Sequence, residues 1–246
     1  MEYRVTINGI TADVRYADAD IEEIFLPLLR QLNALYEEKQ RRILVLLAAP
    51  PGAGKSTLLD MLCRLCAAHP ELRPLTAIGM DGFHRYQQYL LTHTAERDGQ
   101  QVPMVRIKGA PVTFDLPLLT QRMARIAAGE VIGWPVYDRL LHDPVEDAVT
   151  VDGDIVLLEG NYLLLEEDGW KELRRFADYT ARITADPALL RRRLIDRRMA
   201  TGVEAAPAAE FVDRSDMYNV RLCLERTGTA DLTLHLTDDG RYTVTG

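Results

Sequence analysis

Cysteine and lysine are scarce in this chain. It has 246 residues and only three cysteines. That odd, low count does not make a disulfide framework and points to a reducing compartment. Cys63 and Cys66 form a CxxC, but it falls inside an expected helix and lacks further ligands at zinc-binding spacing, so packing is its expected role. Lysine occurs only as Lys39, Lys55, Lys108 and Lys171, which leaves most positive charge to arginine. No apolar run reaches about 18 residues, and the opening segment lacks an apolar h-region. Neither a membrane span nor a signal peptide is therefore expected, and a cytoplasmic location is. The net charge of -8 lacks the basic excess of a dedicated nucleic-acid binder. The sequence accordingly predicts no nucleic-acid partner and no membrane partner.

What the chain does have is alternation. Residues 3–8 and 12–16 alternate around Asn8-Gly9, a hairpin signal. Residues 20–38 set Ile21, Ile24, Phe25, Leu28, Leu29, Leu32, Leu35 and Tyr36 at helical spacing. The unbroken apolar run Ile43 to Ala48 suits a strand buried on both faces of a parallel sheet. A Gly-rich turn and a helix from about Ser56 to Ala68 follow. Leu75 to Met80, Ile155 to Leu158 and Tyr179 to Thr184 read as further core strands. Leu116 to Ala128 and Pro187 to Ala200 read as helices. Residues 84–112 look like a polar insertion over a site, and residues 202–210, rich in Ala, Glu and Pro, like a mobile loop. Residues 231–236 and Arg241 to Val244 flank an Asp-Asp-Gly turn and read as a closing hairpin. Strands alternating with helices predict an α/β fold with a parallel sheet. The terminal hairpins have edges that could pair with a second chain, so a homodimer is compatible with the sequence.

The strongest chemical signal is Ala49-Pro50-Pro51-Gly52-Ala53-Gly54-Lys55-Ser56-Thr57. It follows a strand and opens a helix, the context a phosphate-binding P-loop requires. Gly52 and Gly54 would let backbone N–H groups turn inward around phosphate oxygens, and the helix N-terminus adds partial positive charge. Lys55 would reach the β- and γ-phosphates and Ser56 would ligate Mg²⁺. Ala49 stands where the motif usually has its first glycine. Residues 51–57 are thus the expected nucleotide contacts. A guanine-reading NKxD segment and an LSGGQ-like transporter signature are both missing, which favours a metabolite kinase using ATP.

The chain resembles the family joining uridine kinase, phosphoribulokinase and bacterial pantothenate kinase, in particular its members called fructose transport system kinases or nucleoside/nucleotide kinase-like proteins. The matching pieces are the phosphate loop, Met80-Asp81-Gly82-Phe83-His84, Lys108-Gly109-Ala110-Pro111 with Thr113-Phe114-Asp115, Pro135-Val136-Tyr137-Asp138, Leu157-Leu158-Glu159-Gly160-Asn161-Tyr162 and the Arg-rich segment. They span roughly residues 43–235. The resemblance implies a three-layer P-loop NTPase fold with a central, mostly parallel sheet, plus an N-terminal hairpin and helix and a C-terminal hairpin. It implies one kinase domain over 1–246: a cap over 1–40, a core over 41–236 with its substrate insertion at about 84–112 and lid at about 187–210, and the hairpin over 231–246.

The resemblance also implies transfer of a phosphoryl group from ATP, with Mg²⁺, to a small-molecule hydroxyl. Asp81 is the implied catalytic base, beside Lys55. The crowded arginines 191, 192, 193, 197 and 198 match the family's lid, with Arg193 and Arg197 or Arg198 as the expected charge stabilisers. Glu159 ends a core strand where a Walker-B-like acid would sit, and is a candidate both for holding Mg²⁺ and for contacting substrate. His84, Arg85, Arg106, Lys108, Tyr137, Asp138 and Arg139 are candidate acceptor contacts. The Arg106 and Lys108 pair suggests an anionic acceptor. The acceptor could be a sugar, a nucleoside or a pantothenate-like molecule. The alternative reading is a nucleotide-dependent switch or chaperone ATPase without an acceptor.

Overall fold

The computed structural model describes residues 1–7 and 10–245. The expected Asn8-Gly9 turn lies outside them, but the strands it would join, β1 (Glu2–Ile7) and β2 (Ile10–Arg15), pair antiparallel. Next, α1 (Asp18–Asp20) runs through a π turn over Ile21–Phe25 into α2 (Leu26–Lys39). The apolar run is β3 (Ile43–Ala48), with all its residues buried. Beyond it come α3 (Lys55–Ala68), β4 (Leu75–Gly79) and a 3₁₀ turn over Met80–Phe83.

The polar insertion holds structure of its own. It contains α4 (Gln87–Thr92) and a small hairpin of β5 (Thr94–Arg97) and β6 (Gln100–Pro103). Leu90, Met104, Ile107 and Ala110 anchor it by burial. Then follow α5 (Leu116–Ala127), a hairpin of β7 (Ile132–Asp138) and β8 (Asp143–Val151), and β9 (Ile155–Gly160). The remainder is β10 (Tyr179–Ala185), α6 (Pro187–Met199), α7 (Ala205–Phe211), α8 (Met217–Arg226), β11 (Leu232–Leu236) and β12 (Tyr242–Val244).

Six strands form the main sheet in the order β12-β11-β10-β3-β9-β4. Every neighbour pair is parallel except β11–β12. Side chains alternate across a strand, so the apolar runs feed two cores. Val45, Leu47 and Leu157 join α2, α3 and α6 through Leu29, Leu62 and Leu190. Leu44, Leu46, Val156 and Leu158 face the other way, onto Leu119 and Met123 of α5, Phe83 and Trp134. That gives the three layers. The N-terminal cap is clamped to the last strand: the buried Asp20 accepts from Arg241 Nε at 2.7 Å and from the Tyr242 backbone N–H at 3.0 Å. Tyr16, Phe25 and Tyr242 pack ring on ring beside this clamp.

The structure corrects one reading. Residues 202–210 are not a loose loop, because α7 occupies Ala205–Phe211 and continues through a π turn over Val212–Asp216 into α8. Pro207 sits in the first turn of α7, where a missing N–H breaks no helical bond. The β7–β8 hairpin and α8 had no counterpart in the sequence reading.

The hairpin packs backbone against backbone on the turn after β4. A Cβ added to Gly82 would collide with the Pro135 carbonyl, and Trp134 Nε1 donates to Gly79 O at 2.8 Å. Gly82→Ala is therefore expected to destabilise the chain by about 1–3 kcal/mol. Urea unfolding checks this, with the exposed Val131→Ala as a control expected to stay within about 0.5 kcal/mol of the parent. Equal midpoints for the two variants would refute the close packing.

Candidate functional site

Parallel register brings three strand ends together. Leu47 pairs with Glu159 and Ala48 with Gly160 across β3–β9, while Gly79 pairs with Glu159 across β9–β4. Neighbouring strands lie about 4.8 Å apart. The phosphate loop, the acid of β9 and the turn after β4 thus meet at the carboxyl edge, where α/β sheets bind ligands.

The phosphate loop is built as its sequence predicts. Gly52 and Gly54 both have φ 85, a left-handed conformation that side chains resist. A Cβ on Gly52 would also press on Leu190 O and Leu194 Cγ of α6, each at 3.1 Å. Ala49 has no positive φ, so its methyl group brings no backbone strain at the place of the usual glycine. Gly54 caps α3, and Thr57 Oγ1 donates to Gly54 O at 2.7 Å. Lys55 Nζ donates to Asn161 Oδ1 at 2.6 Å, Ala49 O at 3.2 Å and Pro50 O at 3.3 Å. Ser56 Oγ donates to Glu159 Oε1 at 2.8 Å. Burial raises the pKa of Glu159, and the nearby Asp81 adds to this; Lys55 and Ser56 pull it back. Pro51 and Ala53 complete the loop.

Across the cleft, the 3₁₀ turn presents Asp81, and His84 follows it. His84 stacks on Phe114 with ring centres 4.0 Å apart and meets Tyr137 edge-on at 5.1 Å. Burial drives its pKa down to about 4, against the pull of Asp81 and with the push of Lys108. Lys108 Nζ donates to Gln87 Oε1 and His142 O, each at 2.9 Å, and lies 4.9 Å from the Tyr137 ring centre.

From α6, Arg193 Nη1 donates to Gly52 O at 3.4 Å, reaching the phosphate loop directly. Arg197 is open to solvent at its edge yet deep enough for burial to lower its pKa, with Asp216, Arg139 and Asp81 as charged neighbours. Arg198 lies 3.8 Å from Asp216 and stacks on Phe211 at 3.3 Å. Arg191 and Arg192 pair outside with Asp213 and Asp238.

Other candidates have different company. Arg85 pairs with Asp115 at 3.4 Å and covers the Tyr89 ring. Arg106 is exposed on a 3₁₀ turn. Asp138 Oδ1 accepts from the N–H groups of Leu140 and Leu141, holding the β7–β8 turn. Sequence reasoning assigned no role to Asn161, Asp216 or Asn219. Asn161 follows Glu159-Gly160 within a motif already singled out, so that one was within reach. Asn219 of α8 is buried beside Gly109, with its Oδ1 unpartnered among the described residues. The CxxC packs: Cys66 is buried, and burial pushes its thiol up to about 11.

These parts together set a P-loop at a sheet edge beside the acids Glu159 and Asp81. No protein-family model matches the chain. It is 41% identical over 243 residues to the Escherichia coli "uncharacterized protein YggC", covering 98% of both chains. It is 32% identical over 202 residues to a Schizosaccharomyces pombe protein named "putative uridine kinase", covering 79% of this chain and 83% of that one. Among solved structures, the "putative fructose transport system kinase" of Silicibacter sp. superposes with a TM-score of 0.69 at 30% identity, covering 82% of this chain and 98% of that one. The chain belongs to the family of P-loop small-molecule kinases that includes uridine kinase-like proteins and pantothenate kinases.

A buried neutral histidine leaves a signature in stability. The unfolded His84 takes a proton near pH 6.5, whereas the folded one resists until about 4. The unfolded state therefore binds more protons in this window, and stability falls as pH drops through it. Removing the histidine in His84→Gln should flatten that fall, by about 3 kcal/mol at most. Urea midpoints at pH 7 and pH 4.5 test this; parallel losses in both proteins would show His84 to be freely protonated.

Proposed function

We propose that the protein transfers the γ-phosphoryl group of ATP to a hydroxyl of a small metabolite, with Mg²⁺. The observation that carries this reading is the position of Asp81. It lies in the turn after the strand beside β9, its charge acts on Glu159, and it has Arg197 as a charged neighbour. An ATPase that only switches partners has no use for a base opposite its phosphate loop.

In this reading the N–H groups of residues 52–57 and the α3 N-terminus bind the phosphates. Lys55, held now by oxygen acceptors, exchanges them for β- and γ-phosphate oxygens. Ser56 and Glu159 offer a hydroxyl and a carboxylate, the hard oxygen donors Mg²⁺ takes alongside phosphate, and would hold the ion. The ion would neutralise charge on the bridging phosphates. Asp81 accepts the proton of the acceptor hydroxyl. That oxygen forms a bond to Pγ, the bond from Pγ to the bridging oxygen breaks, and ADP leaves with the electron pair. Arg193 and Arg197 stabilise the charge that spreads over the transferred group. The acceptor would lie toward His84, Lys108 and Tyr137. Relatives named for uridine, fructose and pantothenate support a sugar, nucleoside or pantothenate-like alcohol. Among the described residues no helix is long and apolar enough to cross a membrane, which is compatible with work in the cytoplasm.

Asp81→Asn should keep ATP binding and lower kcat about a hundredfold or more, the range of a positioned base. Lys55→Ala should abolish turnover. ADP release across hexoses, pentoses, sugar phosphates, nucleosides and pantothenate measures both. Acceptor-independent hydrolysis unchanged in Asp81→Asn would refute the proposal.

A further inference from the structure

The polar insertion reaches α8 beside a gap. Its hairpin β5–β6 closes through Asp98-Gly99, whose φ values of 53 and 75 suit a two-residue turn. That turn pairs Arg97 with Gln100. From there Arg97 Nη2 donates to Arg214 O at 3.3 Å. Its guanidinium lies 3.8 Å from the Tyr218 ring centre, a cation–π stack. Around this contact the two sides stand apart. A cavity of about 310 Å³ lies between Ile107, Pro111 and Val112 of the insertion and Tyr218 and Leu222 of α8. Arg97 lines it and spans it.

Arg214 belongs to the π turn over Val212–Asp216, a rare form of helix. Helix α6 grips that turn twice. Arg191 Nε and Nη2 donate to the two carboxylate oxygens of Asp213 at 2.6 and 2.8 Å. A forked guanidinium on a carboxylate fixes orientation as well as distance. Arg198 lies 3.8 Å from Asp216 and stacks on Phe211, the residue before the turn. Arg193 and Arg197 sit on α6 between these two anchors. The π turn is thus held from one side by α6. From the other it is held by the insertion, which also carries His84 and Lys108.

We infer that Arg97 is a positioning residue for phosphoryl transfer: by holding the π turn it sets α6, and with it Arg193 and Arg197, relative to the insertion. This rests on the kinase reading above and adds to it a residue outside the cleft. The partners of Arg97 are Arg214 and Tyr218, neither of them in the phosphate loop or the turn after β4. It therefore acts through a chain of direct contacts, from Arg97 to the π turn and from the π turn to Arg191 and Arg198. With a cavity beside it, the insertion has few packed side chains there to keep it in place against α8. The single guanidinium supplies that register.

The test compares the parent with Arg97→Gln, Arg97→Lys and Asp213→Asn, using the panel compound that the parent phosphorylates fastest at saturating Mg·ATP. Arg97→Gln should lower kcat about tenfold, within what misplacing a group by about 1 Å costs, with KM for ATP little changed. Arg97→Lys keeps a cation over Tyr218 and should recover part of the loss. Asp213→Asn loosens the same link from the α6 side, so the double variant should fall little below the lower single one. Additive losses would overturn the inference. A raised acceptor KM at unchanged kcat would also overturn it, since Arg97 would then only hold the insertion. Hydrogen exchange with Mg²⁺ and a non-hydrolysable ATP analogue reads the link without turnover. Arg97→Gln should lose protection across residues 187–199, and Arg4→Gln, which breaks an exposed pair on β1–β2, should not. Protection lost in β5–β6 alone would refute the link and leave the kinase intact. No acceptor-dependent ADP from any compound would overturn the kinase reading, and this role in transfer with it.

Discussion

The register of β9 between β3 and β4 is the constraint on which the site depends. Glu159 stands opposite Leu47 on one side and Gly79 on the other. A slip of one residue would turn its carboxylate to the opposite face of the sheet and take it from Ser56. Gly160 completes the fit. Met80 occupies the space a Cβ there would need, so the chain leaving β4 passes tightly over the end of β9. Asp81 follows Met80 and is thereby delivered beside Glu159. The fit of the Met80 side chain over Gly160, not attraction between charges, brings the two acids near each other.

That proximity has an electrostatic cost, which the same elements offset. Burial and Asp81 both disfavour the charge on Glu159. Lys55 and the Ser56 hydroxyl favour it, and both belong to the first turn of α3. The helix start that would take phosphate is thus the one that keeps the acid in use. Asn161, two residues past Glu159, holds the Lys55 ammonium from the other side. Strand end and helix start are cross-linked by two hydrogen bonds, Lys55–Asn161 and Ser56–Glu159.

Much of this was legible in the sequence because apolar runs and glycine positions report local physics. β3 and the first four residues of β9 are continuous apolar segments, and the phosphate loop follows from two glycines and a lysine between a strand and a helix. The β7–β8 hairpin was not legible. Pro135 interrupts it, its residues alternate only in part, and it packs as an antiparallel ribbon outside the main sheet. Asn219 was hidden for another reason: α8 carries it to Gly109, and nothing in the local pattern announces a contact over such a sequence separation. Arg85 shows the reverse problem. Its neighbour His84 faces the cleft, but Arg85 is engaged by Asp115, and no composition rule separates the two.

The helical state of residues 205–211 changes how the proposed lid would work. A loose loop could order itself around a nucleotide residue by residue. Here Ala208 of α7 is fully buried, and Arg198 of α6 stacks on Phe211 of α7. Asp216 at the start of α8 attracts both Arg197 and Arg198. Burial raises the pKa of that acid, and the two arginines oppose the rise. The lid arginines are therefore positioned by the helix that follows them, as well as by their own. Helices α6 and α7 are joined by the short segment from Ala200 to Glu204, where Gly202 has φ 89 and open space around it. Arg193 is already at the phosphate loop, while Asp216 lies beyond that segment in the turn before α8. In the proposed transfer Arg193 would meet the nucleotide where it stands, whereas Arg197 would exchange the charge of Asp216 for that of the transferred group.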